Sequence, residues 1–69
     1  MYIVMEIQTN ANGTVGTLVN AYENRDQAES SYHTILAAAA LSSLPCHAAV
    51  LLTEQGGILA NSFYEHGEA

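Results

Sequence analysis

Residues 24–44 read NRDQAESSYHTILAAAALSSL, and their spacing predicts one helix that begins amphipathic and ends apolar on nearly every side. Ala28, Tyr32, Ile35, Leu36 and Ala39 recur at helical intervals and form the face expected to lie on a sheet. The other side carries Ser30, His33, Thr34, Ala37, Ala38 and Leu41, small enough for a neighbouring element to approach closely. Asn24 is a good N-cap, and Gln27 three residues later completes a capping-box pattern. Asp26 and Glu29 fall in the first turns, where the helix dipole favours anions. Pro45 disfavours helical geometry at Leu44, so the helix should stop near there.

Working outward, the flanking segments read as strands. In Tyr2 to Thr9, Ile3, Met5 and Ile7 alternate with Val4, Glu6 and Gln8, the period of a strand with one buried face. Asn10-Ala11-Asn12-Gly13 supplies a turn whose Asn-Gly pair tolerates positive φ. A second strand, from about Thr14 to Tyr22, would turn Val15, Thr17, Val19 and Ala21 inward and leave Gly16, Leu18, Asn20 and Tyr22 on the opposite face. Beyond the helix, Cys46 to Thr53 (CHAAVLLT) is apolar on both faces, as in a central strand. Glu54-Gln55-Gly56-Gly57 is a second turn, a fourth strand runs from Ile58 to about Tyr64, and His66 to Ala69 is expected to fray.

This order predicts one α+β domain spanning residues 1–69: a four-stranded antiparallel sheet, simplest spatial order 2-1-3-4, with one helix on one face. The second sheet face would then hold Tyr2, Val4, Leu18, Tyr22, Ala49, Leu51, Leu59 and Phe63. So many apolar groups are not left in water. A chain of 69 residues also gains little net stability from its own core, because ordering costs about 1.5 kcal/mol per residue. Cys46 is the single cysteine and cannot form an internal bridge, and only 12% of residues are charged. Together these features predict a homo-oligomer.

Seven carboxylates against the single cation Arg25 give a net charge of −6. Nucleic-acid binding is unfavourable for such a chain, which lacks the cations that release phosphate counterions, and an anionic membrane would repel it. The apolar runs are too short for a transmembrane helix, no signal-peptide pattern precedes Tyr2, and a lone thiol suits a reducing compartment, so a cytoplasmic location is expected.

The residues offer few chemical constellations. Cys46 and His47 are adjacent, but neighbours on a strand point to opposite faces and do not chelate together. Cys46 with His33 or His66 lacks a third orienting group, and Glu65-His66 reads better as a solvated tail than as an acid-base pair. No enzyme, cofactor or metal is expected. A ligand site is better drawn from Arg25, His33, Tyr2, Tyr22 and Asn24: Arg25 stands where helix N–H groups favour an anion, the tyrosines offer rings for stacking, and His33 lies on the small-residue helix face. Each has a plainer reading: an Arg25 salt bridge to Glu23, Glu29 or a neighbouring subunit, and packing for the rest.

YIVMEIQTN, the Asn-Gly turn, NRDQAESSYHTILAAAA, HAAVLL and the glycine turn together resemble short uncharacterised proteins carried by bacteria, phages and other mobile elements, over nearly the whole chain. The resemblance brings no catalytic motif. It implies an anti-defence role of one of two kinds. The expected function is the first, a non-enzymatic oligomeric sponge that sequesters a small nucleotide-derived immune signal between subunits; the alternative is an acidic inhibitor that covers a defence enzyme or another basic partner.

Overall fold

A computed structural model describes residues 1–66. Its elements are β1 (Tyr2–Thr9), β2 (Val15–Tyr22), α1 (Arg25–Ala40), β3 (Cys46–Thr53) and β4 (Ile58–Glu65). The strands form one antiparallel four-stranded sheet in the order β2-β1-β3-β4, with α1 packed on one face, as the sequence predicts.

Both hairpins use the same turn. Asn10 N donates to Thr14 O at 2.8 Å and Gly13 N to Asn10 O at 3.0 Å; the second hairpin repeats this, with Thr53 N to Gly57 O at 2.8 Å and Gly56 N to Thr53 O at 2.9 Å. Gly13 and Gly56 each take φ +90°, the left-handed conformation that a three-residue hairpin loop requires of its last residue. Of the Asn12-Gly13 pair only the glycine is left-handed; Asn12 instead accepts from Thr14 N through Oδ1 at 3.0 Å.

The helix starts where expected. Asn24 is extended, and its Oδ1 accepts from Asp26 N at 2.7 Å, so the cap closes on Asp26 rather than on Gln27 as a capping box would. Asn24→Ala should lower stability by about 1 kcal/mol, read from urea midpoints at unchanged slope. The helix ends at Ala40, earlier than the 24–44 stretch suggests. Leu41 N and Ser42 N bond back to Ala38 O and Ala39 O, and Ser42 Oγ accepts from Leu44 N at 3.1 Å, a local bond that competes with further helix. The frayed end expected at His66 is also corrected. Its N–H reaches Pro45 O at 2.9 Å and its ring Nε2 donates to Ala39 O at 2.8 Å, supplying a partner to a carbonyl at the helix C-terminus. Residues 67–69 of that expectation lie outside the described residues.

Ala28, Tyr32 and Ala39 are buried and Ile35 and Leu36 pack beside them, the helix face read from the periodicity. The sheet is turned the other way. Val4, Ala49 and Leu51 are the strand residues buried under α1, flanked by Tyr2, Tyr22 and Ala60. The expected uncovered set places Val4, Leu18, Ala49, Leu51, Tyr2 and Tyr22 there, but all six are on the helix side, while Phe63 is on the uncovered face as expected. Ile3, Met5, Ile7, Val15, Thr17, Val19 and Ala21 lie instead on the face away from the helix. The physical reason is a polar cluster that only strand registry assembles. Glu6 and Gln8 make the even positions of β1 look solvent-facing, yet they find polar partners under the covered face, so Val4 can carry the core on that side.

Candidate functional site

Antiparallel registry decides which of the candidate residues meet. Tyr2 lies opposite Tyr22 on the β1–β2 ladder and opposite Thr53 on the β1–β3 ladder. One end of the molecule therefore collects the start of β1, the end of β2, the start of α1 and the β3–β4 turn. Tyr2, Tyr22, Asn24 and Arg25 stand there together. His33 does not join them: eight residues beyond Arg25 it is about 12 Å further along the helix, exposed, and edge-on to Tyr32 with ring centroids 5.2 Å apart.

Most of these groups already have partners. Tyr22 Oη donates to Ser31 Oγ at 3.0 Å, Asn24 is the helix cap, and Arg25 Nε donates to Glu29 Oε2 at 2.9 Å, one helical turn away. The plain reading of Arg25, a surface ion pair, is the one observed. The same end gathers Glu23, Asp26, Glu29 and Glu54, four of the chain's seven carboxylates, which look scattered in the linear sequence. The Met1 amine bonds Glu54 Oε1 at 2.6 Å, and that hydrogen bond with the attendant charge holds the Glu54 carboxyl below its usual value. Among the described residues no cation pairs with Glu23 or Asp26.

The other polar site was not foreseen. Under the helix-covered face, at the end of the sheet where α1 finishes, His47 on β3 is almost fully buried and lies opposite Gln8 on β1. Its ring Nε2 donates to Glu6 Oε2 at 2.5 Å, and Gln8 Nε2 donates to the same oxygen at 2.8 Å. Burial raises the Glu6 pKa, but the hydrogen bonds from Gln8 and His47 and the His47 charge outweigh it, so the carboxyl is held below its ordinary value. His47 Nδ1 is buried without a partner. The trio is a structural polar cluster that joins the two central strands. Glu6 and Gln8 two apart on one strand and a histidine on an apolar one were the available signals, but only registry brings them into contact.

The remaining chemistry disperses. Cys46 is on the opposite sheet face from His47, as strand alternation requires, and among the described residues no group of three or more His, Cys, Asp or Glu side chains converges. His66 stacks on Tyr64 and holds Ala39 O, so it belongs to the helix end rather than to a solvated tail with Glu65. The described surface has no enclosed cavity, and none of its helices is long and apolar enough to cross a membrane. No protein-family model, curated protein or solved structure matches the chain.

Proposed function

We propose that the protein is a non-enzymatic binding protein that presents its acidic end to a basic partner, in the manner of an inhibitor. The observation that carries this reading is the gathering of Glu23, Asp26, Glu29 and Glu54 at one end against only two cations, Arg25 on Glu29 and the Met1 amine on Glu54, which leaves Glu23 and Asp26 without a cation partner among the described residues. Clustered carboxylates speed association with a positive surface and make it sensitive to salt. The test is affinity capture from a host extract at low and high ionic strength. The wild type should retain a basic protein that high salt releases, and the triple variant Glu23→Gln, Asp26→Asn, Glu54→Gln should lose it. Equal capture by both chains would overturn the reading.

A second reading is favoured by the meeting of Tyr2, Tyr22, Asn24 and Arg25: capture of a small nucleotide-derived signal between protomers, the sponge strategy implied by the resemblance. Its cost is electrostatic, because a phosphate there must displace Glu29 from Arg25 amid other carboxylates. Thermal shift against cyclic nucleotides and ADP-ribose derivatives separates the two. A true ligand should stabilise the fold by about 2.7 kcal/mol at a hundredfold excess over its Kd.

A further inference from the structure

Strand alternation delivers a largely apolar surface to the sheet face away from α1, interrupted by Thr17 beside Ile7 and Asn61 beside Val50. Its centre is the Met5–Val50 pair on the two inner strands, flanked by Ile3 opposite Leu52 and Ile7 opposite Ala48. Towards the edges lie Val19 on β2 and Phe63 on β4, each more than half exposed. Nothing in the described chain covers this face, because all the buried strand residues are on the other one. We propose that it is the contact surface for a second copy of this chain, the two sheets packing face to face about a two-fold axis.

Charge argues for a copy as the occupant. The chain carries −6 overall, yet among the described carboxylates only Glu65 stands on this face, at its corner opposite Cys46. Two copies can therefore meet across it without bringing like charges together in the centre. The other described acidic groups stay at the sheet end and on the helix side, away from the contact.

Area argues the same way. Four strands of eight residues, at about 4.8 Å between strands and 3.4 Å per residue, present roughly 500 Å² in projection per copy. A pair then covers about 1,000 Å², and side-chain corrugation makes the accessible area larger, which reaches the range of stable interfaces. The dry contact would be a sandwich about 10 Å thick between the sheets, in which Met5 and Val50 of one copy meet their equivalents in the other.

Light scattering at tens of micromolar, in 0.1 M and 1 M salt, should give twice the 7.3 kDa chain mass at both, since an apolar contact is not screened. Val50→Lys should weaken pairing at least a hundredfold, because dimerisation would bury an unpaired charge. Its far-UV circular dichroism should be unchanged, since the side chain faces water in the separate chain. Val19→Lys and Phe63→Lys, at positions already exposed, give the same readout should Val50→Lys fail to fold. A wild-type chain of single mass overturns the proposal. So does a dimer that survives all three lysines, which would place the contact on a strand edge or the helix. These readouts are independent of the acidic end, whose variants should leave the mass doubled.

Discussion

Leu51→Ala is expected to destabilise the protein by about 3 kcal/mol, the largest effect of any single substitution considered. Leu51 is one of the two largest side chains with almost no exposure; the other is its neighbour across the β1–β3 ladder, Val4. Removing its branched end takes away contacts on a surface shared with Ala28 and Tyr32 of the helix, and a core this thin has little to refill the space. For a domain of this size the loss corresponds to a fall in Tm of roughly 12–24 °C. Calorimetry at one fixed protein concentration measures it, because self-association also moves Tm. Val50→Ala, one residue away on the opposite face, is the control. Compared in a Phe63→Lys background that keeps the chains separate, it should cost well under half as much as Leu51→Ala, and an equal loss there would mean that the faces are assigned wrongly.

Glu6→Ala is expected to cost about 2 kcal/mol and to reduce the acid sensitivity of the fold. The alanine leaves the buried His47 ring without its Nε2 partner beside an Nδ1 that already has none. The pH dependence follows from the lowered Glu6 pKa. Between the ordinary carboxylate value and the lower folded value, the unfolded chain binds a proton that the folded chain does not, so stability rises with pH through that window. The Glu6 contribution is complete above the ordinary value of 4.5 and is lost as pH falls through the folded one. Urea midpoints from pH 6 down to pH 3 should therefore fall more steeply for the wild type than for Glu6→Gln, which keeps an acceptor oxygen but does not titrate. Parallel curves would mean that Glu6 is no more perturbed in the folded chain than in the unfolded one.

The two polar sites differ in how far they could be read from the chain. Arg25 and Asn24 act within one helical turn, as cap and ion pair, so their roles follow from neighbours in the sequence. Glu6 and His47 are 41 residues apart, and no local rule pairs them. The error over the sheet faces has the same origin. Period-two alternation says that odd and even positions of β1 part company, but it does not say which set meets the helix. Apolar residues occupy both sets, Ile3, Met5 and Ile7 in one and Val4 in the other, so the polar Glu6 and Gln8 tipped the choice. Their hydrogen bonds to each other and to His47 made burial acceptable.

By itself the sequence determined the element order, the strand lengths, the helix start and face, the positions of both turns and the acidic balance. These depend on periodicity, capping chemistry and φ preferences, which act over a few residues. Tertiary structure alone decided which face of the sheet the helix covers, that His47, Glu6 and Gln8 meet, that His66 holds the helix end, and that four carboxylates share one end. Each of these depends on registry between strands distant along the chain, where one shared choice of face moves every side chain at once.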